Sequence, residues 1–365
     1  MQDFVPLTIA DAQRDTPDAI VLTLAIPEQL KPVFKFRPGQ HVNVRTIHAG
    51  AELRRSYSIC SVPAAPDLRI AIKRVQGGAF SVWANANLLT GMTLDVSPPT
   101  GRFALAAGDG AARHIVGIAA GSGITPIASI VGHALTTEPL TDVTLIYGNR
   151  TIESTIFRQH LEDLKDRFIG RFSLVHVLSK GEMGNASVLE GRINGEKVSA
   201  LLASQMSGRK EATQIYLCGP GSLIKETRAA LFAMGFSRDR VHHEFFAAGG
   251  GAYRLPPIAT QPGCLESPSV ESAIVEIIAT LDGSRHRFTA RPGETVIDAA
   301  LRAGVKAPYA CKGGMCCSCR ARLIEGVAPM KLNYSLEAWE IEKGFVLTCQ
   351  AVPKSARLVL DFDQM

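Results

Sequence analysis

No stretch of this 365-residue chain joins the length and the unbroken hydropathy of a membrane span. The most apolar window, IVGIAAGSGITPIASIV at residues 115–131, is interrupted by Gly121, Ser122, Gly123, Thr125 and Pro126 and is short for a crossing helix. It reads as a buried strand, a turn and a buried helix. Charge of one sign is nowhere concentrated. The formal net charge of +5 is spread along the chain, which leaves no footprint for nucleic acid. The opening, MQDFVPLTIADAQRD, has no basic segment followed by an apolar one, so no secretory signal is expected. A cytoplasmic, reducing location is therefore expected, with neither membrane nor nucleic acid as a partner. There, clustered cysteines serve metal or redox chemistry more often than disulfides. At 365 residues and 46% hydrophobic content, two or three globular domains are expected.

Cysteine is scarce, with eight residues in all, yet four of them fall in CKGGMCCSC at 311–319. Cys311 and Cys316 are separated by four residues, Cys316 and Cys319 by two, and Cys349 follows in LTCQ. This is the C-x4-C-x2-C…C spacing of a plant-type [2Fe–2S] cluster. Two irons bridged by two sulfides need four thiolates, and a loop containing Gly313 and Gly314 can turn its amides toward the sulfurs. A tetrahedral zinc site is the alternative, but the second C-x2-C pair typical of zinc sites is missing. A cluster is preferred to zinc, and zinc to disulfides. Cys317, Cys60 and Cys264 read as small buried fillers.

Residues 273–282, AIVEIIATLD, alternate like a strand, and RHRFTA reads as its hairpin partner. GETVIDAALRAGV then reads as a short amphipathic helix before the cysteine loop. Upstream, residues 247–272 are rich in Gly, Pro, Ala and Ser without a period and read as a linker. Residues 1–110 carry strand-like runs, AIVLTLAI, HVNVRTI, LRIAIKRV and MTLDVS, separated by Pro and Gly turns. Among them lie RPGQHV, RRSYSIC and GGAFSVWANANL. Across residues 111–246 the pattern changes to alternating strand and helix. This predicts a doubly wound parallel α/β sheet with glycine turns at strand ends, where nucleotides bind. The full G-x-G-x-x-G fingerprint is absent; GSGITP stands after the first strand instead.

Together these motifs resemble the ferredoxin–NADP reductase superfamily, followed over residues 273–365 by a plant-type ferredoxin domain. The resemblance implies a multidomain chain: an antiparallel β-barrel binding FAD at 1–110, a nucleotide domain at 111–246 and an α+β, β-grasp ferredoxin fold at the end. It implies that Arg55 meets the flavin pyrophosphate, Tyr57 packs on the isoalloxazine and Ser58 sits near its N5. A guanidinium suits phosphate and an aromatic face suits a planar ring. Gly77, Gly78 and Ser81 match a second phosphate-binding turn at a helix start. Gly121, Gly123, Thr125 and Pro126 match the nicotinamide-domain turn, and Cys218, Gly219 and Pro220 the second motif, which puts Cys218 beside the nicotinamide. Glu244, in HHEFF, matches the position that closes the flavin site. Ser58, Cys218 and Glu244 are thus the candidate catalytic residues. Arg150, at the end of VTLIYGNR, lies where an adenosine ribose is expected. A cation there accommodates a 2′-phosphate, so NADPH is expected over NADH.

ELRRSYSIC, LIYGNRT, GRINGEKV, APYACKGGMC, LNYSLEAWEIEKGFVLTCQ and LVLDFD sharpen the resemblance to the reductase components of bacterial phenylacetyl-CoA epoxidase systems. That implies electron flow from NADPH to FAD to [2Fe–2S] to diiron oxygenase subunits. A flavin is needed because nicotinamide delivers two electrons and the cluster accepts one. The acidic segment SLEAWEIEKG at 335–344, through Glu337, Glu340 and Glu342, is the expected docking face, with a solvated helix face as the alternative. Other readings stay open: a similar reductase serving a Rieske dioxygenase or a desaturase, one using flavin mononucleotide, or a non-enzymatic iron–sulfur carrier or redox sensor.

Overall fold

Strand alternation builds the first sheet. In Ala19–Ala25 (β2), Leu22 and Leu24 turn into one apolar core while Val21 turns outward into another. Five more strands pair with it: Val5–Thr16 (β1), His41–His48 (β3), Ala51–Ser58 (β4), Leu68–Lys73 (β5) and Thr93–Val96 (β6). Every pairing is antiparallel, and the order is β4-β3-β6-β1-β2-β5. A bridge between Ile59 and Ile70 joins the two edge strands, so the sheet closes into the expected barrel. Its interior is filled by Leu7, Ile9, Val42, Val44 and Ile72, and by Phe80 and Ala84 of the helix Ala79–Asn87 (α1). Burying each large aliphatic side chain contributes about 1.5–3 kcal/mol.

The computed structural model describes residues 4–48, 50–108, 110–180, 187–203, 210–246 and 274–364. The expected linker at 247–272 and Cys264 lie outside them. The chain divides into two compact units, one within Phe4–Gly251 and one within Ala252–Met365.

The first unit also holds a parallel sheet of His114–Ala120 (β7), Asp142–Asn149 (β8), Phe172–Leu178 (β9), Thr213–Gly219 (β10) and Val241–Phe245 (β11). Its order is β11-β10-β7-β8-β9. Both faces are covered, which is why these strands read as nearly continuous apolar runs. Ile115, Leu145, Tyr147 and Cys218 share one core with Ile124–Thr137 (α2) and Arg158–Arg167 (α3). Val116, Ile118, Ile146 and Leu217 share the other with Gly195–Ala203 (α4) and Gly221–Ala233 (α5). Strand order reverses between β7 and β10, and the crevice at their C-terminal ends is where such sheets bind ligands. Ala19, Val21, Ala71 and Phe103 of the barrel join the α2 core, so barrel and sheet are packed together. Ser129 Oγ, donating to Ser61 O at 2.7 Å, and Phe157 N, donating to Asp15 Oδ2 at 2.9 Å, cross the same boundary.

The second unit is a mixed sheet of Val275–Leu281 (β12), Ser284–Ala290 (β13), Arg320–Glu325 (β14), Phe345–Leu347 (β15) and Arg357–Asp361 (β16), ordered β13-β12-β16-β14-β15. The hairpin between β12 and β13 turns at Asp282 and Gly283, a residue pair well suited to such a turn. Val296–Arg302 (α6) packs its Val296, Ile297 and Ala300 on the sheet. The segment expected to be an acidic helix at 335–344 is helical only over Ala338–Glu342 (α7). Between α6 and β14 the chain forms the irregular loop that carries the cysteines.

Candidate functional site

On β4, Arg55 and Tyr57 stand two residues apart and so share one face of the strand, opposite Val44 and Val42. Tyr57 packs against Phe80 of α1 with ring centroids 5.7 Å apart, and burial pushes its phenol well above the ordinary range. Phe80 therefore ties the Arg55–Tyr57 strand to the turn before α1. In that turn Ser81 Oγ accepts from Val75 N at 3.1 Å and donates to Gly78 O at 3.3 Å. This fixes Gly77 and Gly78 above first-turn amides that no preceding helical carbonyl uses. The expected flavin residues thus lie on two elements, β4 and the turn before α1, that are joined through Phe80.

At the strand switch, Gly121–Gly123 form a tight turn from β7 into α2. Thr125 Oγ1 donates to Ser122 O at 3.0 Å, and Pro126 stands in the first turn, where a missing N–H costs nothing. Gly123 has to be glycine: a Cβ there would lie 2.2 Å from the carbonyl oxygen of Cys218. The two nucleotide motifs are therefore in contact. Cys218 is fully buried; burial, with Glu244 adding to it, raises its thiol well above the usual range and keeps it neutral. Gly219 and Pro220 lead directly into α5. Arg150 is exposed at the C-terminal end of β8.

Ser58 and Glu244 meet although 186 residues separate them: Ser58 Oγ donates to Glu244 Oε2 at 3.4 Å. Glu244 pairs in register with Cys218 on the adjacent strand. The three candidate catalytic residues thus gather where the barrel abuts the parallel sheet. His41, given no role from RPGQHV, joins them. It pairs with Ser58 across β3 and β4, and its Nδ1 is 3.9 Å from Glu244 Oε1. Lys73 is a second residue that sequence reasoning misses. Its Nζ would lie 3.4 Å from a Cβ on Gly121, and burial, with Arg150 nearby, lowers its pKa. Its position at the end of a strand predicted to run into a phosphate turn is the available signal.

In the second unit the thiols converge as two pairs, Cys311 with Cys316 and Cys319 with Cys349. The partner thiol and burial raise Cys311 and Cys319 well above the ordinary range, while the Cys319 hydrogen bond, helped by Gln350 and the Gly314 amide, lowers Cys349. Gly313 N donates to Cys311 Sγ at 3.3 Å. Among the described residues no three His, Cys, Asp or Glu side chains gather as a single-ion site. Two thiol pairs with amides aimed at sulfur instead match the donor set of a two-iron cluster, in which each iron takes two thiolates. The donor chemistry fits that group. Cys317 packs against the apolar core of the unit.

One expectation fails. Glu340 is not a surface charge: its side chain is 0% exposed and pairs with Arg320 at 3.0 Å. Its other oxygen accepts from Glu337 N at 3.0 Å in a capping box that starts α7. Glu342 is exposed and Glu337 partly so.

The chain matches the oxidoreductase FAD-binding domain over residues 6–105, the oxidoreductase NAD-binding domain over 118–229 and the 2Fe-2S iron-sulfur cluster binding domain over 279–354. It is 38% identical over 364 residues to a component of the 1,2-phenylacetyl-CoA epoxidase of Escherichia coli (strain K12), covering 100% of this chain and 99% of that one. The chain belongs to the ferredoxin–NADP reductase-like flavoproteins with a C-terminal 2Fe–2S domain. Within this family it is 32% identical over 362 residues to the ferredoxin reductase component of 3-ketosteroid-9-alpha-monooxygenase from Rhodococcus rhodochrous, covering 98% of this chain and 97% of the relative. Phthalate dioxygenase reductase has the same architecture, with a TM-score of 0.61, 25% identity and 98% of each chain covered. Like other members of the family, the protein is an oxidoreductase that carries electrons from a pyridine nucleotide through FAD to [2Fe–2S], a reductase component of a multicomponent oxygenase.

Proposed function

We propose that the chain draws electrons from NADPH and delivers them, through FAD and [2Fe–2S], to diiron oxygenase subunits that epoxidise phenylacetyl-CoA. The observation that carries the acceptor is 38% identity with a phenylacetyl-CoA epoxidase component along nearly the whole of both chains. In this reading residues 1–110 bind FAD, 111–246 bind the nucleotide, 247–272 link, and 273–365 hold the cluster.

When bound, the flavin exchanges a two-electron donor for single electrons that the cluster can accept. The chain's residues position that exchange. Arg55 and the amides beside Gly77, Gly78 and Ser81 hold flavin phosphates, and Tyr57 covers the ring. Gly121, Gly123, Thr125 and Pro126, with Gly219 and Pro220, form the floor for the nicotinamide. Cys218 is a neutral wall that excludes water rather than a nucleophile. Ser58 and Glu244 offer a hydroxyl and a carboxylate for a proton at the edge where barrel and sheet meet. Arg150 receives the 2′-phosphate; its exposure at the β8 end supports that role. Cys311, Cys316, Cys319 and Cys349 would hold the cluster, their thiols already gathered as the pairs Cys311–Cys316 and Cys319–Cys349.

The relatives that serve 3-ketosteroid-9-alpha-monooxygenase and glycine betaine monooxygenase, at 32% and 31% identity, support a second reading: a reductase of the same build for another oxygenase. The test is an anaerobic titration with NADPH, and in parallel NADH, followed by absorbance and EPR. Reconstitution with diiron and with Rieske oxygenase components follows. Flavin bleaching with a rhombic cluster signal, formed faster with NADPH than with NADH at equal low concentration, is the expected result. Equal response to NADH sinks the NADPH assignment, and coupling to the Rieske component alone sinks the acceptor.

A further inference from the structure

Gln350 follows Cys349 directly and is buried, 6% exposed. A side-chain amide carries two N–H donors. Here Nε2 is 2.9 Å from Lys312 O and 3.6 Å from Cys349 Sγ, a normal donor distance for the larger sulfur atom. Both donors therefore have an acceptor.

The surroundings are shaped to this amide. Lys312 takes a left-handed φ of 49° immediately after Cys311, and its carbonyl is the one Gln350 holds. Gly314, at φ 74°, packs on the same side chain. A Cβ there would sit 3.1 Å from Leu332 O and 3.3 Å from Gln350 Cγ. The Gly314 carbonyl accepts from Tyr334 N at 3.0 Å and from Ser335 Oγ at 3.2 Å. The main chain of Gln350 is fixed by Lys331 N, which donates to its carbonyl at 2.9 Å. One side chain thus joins the loop bearing Cys311 to the turn after β15 that bears Cys349, and does so with a donor on sulfur.

We infer that Gln350 sets the redox poise of the cluster, by donating its amide to the Cys349 sulfur while holding the cysteine loop through Lys312. The inference rests on the four-cysteine assignment above. A donor on a thiolate sulfur withdraws electron density, and it stabilises the reduced cluster, the more negative state, more than the oxidised one. Gln350 is a positioning residue: it acts through Cys349 and touches no substrate. A buried amide serving only to satisfy Lys312 O would affect how well the cluster is retained but not its potential.

The experiment is an EPR-monitored redox titration of the full-length protein and of Gln350→Leu and Gln350→Glu. In Gln350→Leu the ratio of reduced to oxidised cluster, at the wild-type midpoint, is expected to fall about tenfold, equivalent to 59 mV for one electron. Gln350→Glu, which replaces the donor with a negative charge, is expected to fall further. Reduced-to-oxidised ratios within twofold of wild type at that potential, in variants with full cluster absorbance, overturn the inference. Pulsed EPR on wild-type protein labelled with [side-chain amide-15N]glutamine supplies the test if neither variant retains its cluster. A hyperfine-coupled 15N on the reduced cluster supports the contact, and its absence overturns it. Wild-type protein lacking any [2Fe–2S] signal removes the four-cysteine assignment, and the inference with it.

Discussion

Arg320 Nε lies 3.0 Å from Glu340 Oε1, and the carboxylate of that pair is wholly enclosed. Arg320 also stacks on Phe345, its guanidinium carbon 3.6 Å from the ring centroid. Because Arg320 is the residue after Cys319, the pair ties α7 to the cysteine loop. Removing one partner of a buried pair leaves an uncompensated charge and costs about 3–5 kcal/mol. Glu340→Gln and Glu340→Lys are therefore expected to lower the unfolding temperature of the 2Fe–2S unit and to speed loss of cluster absorbance on heating. Glu342→Lys, on the exposed side of α7, should stay within about 0.5 kcal/mol of wild type. Equal melting of the Glu340 variants and wild type would rule this out.

Gly123→Ala would put a carbon against the Cys218 carbonyl and push the two nucleotide turns apart. A displacement of about 1 Å at a reacting pair can cost on the order of 100-fold. Stopped-flow flavin reduction by NADPH is expected to slow by about that factor, while the flavin visible spectrum stays unchanged. Loss of flavin itself would show instead that the turn holds the barrel together.

Cys317 holds a left-handed φ of 54°, unfavourable for any residue with a Cβ. Cys317→Gly removes that strain, worth about 1 kcal/mol, at the expense of a small side chain in the core. A melting temperature equal to or slightly above wild type, with an unaltered EPR signal, is expected. A lost or altered cluster signal would make Cys317 a ligand.

His243 sits on β11, with its Nε2 3.2 Å from Arg228 Nη1. Burial, then Arg228, pushes its pKa from 6.5 to about 3. Below pH 6.5 the unfolded chain takes up this proton and the folded chain does not, so stability is full above pH 6.5 and declines toward pH 3. For this one group the slope is at most about 1.4 kcal/mol per pH unit. Urea midpoints measured between pH 7 and pH 4 are expected to fall with pH. The fall should be shallower in His243→Gln, which keeps an acceptor for Arg228. His133, His160, His176 and His242 are also lowered by burial, so part of the slope remains. A slope unchanged by the substitution would assign the acid sensitivity elsewhere.

The amino-acid order alone made much of this protein legible, because its informative features are local. Alternation in AIVLTLAI and HVNVRTI predicts strands, and strands alternating with amphipathic helices predict the doubly wound sheet. Cys311, Cys316 and Cys319 lie on one short loop where spacing is itself geometry. The strand β1 was not legible. Asp11, Gln13 and Arg14 dilute its alternation, although it lies inside the sheet between β2 and β6. Tertiary structure alone decided which thiols pair, that Ser58 reaches Glu244 and that His41 stands behind them. It also decided that Glu340 faces inward to Arg320 rather than outward to a partner. The physical reason is common to all of these. A carboxylate, a thiol or an amide gains its character from desolvation and from the groups placed against it, and those groups lie far away in the chain.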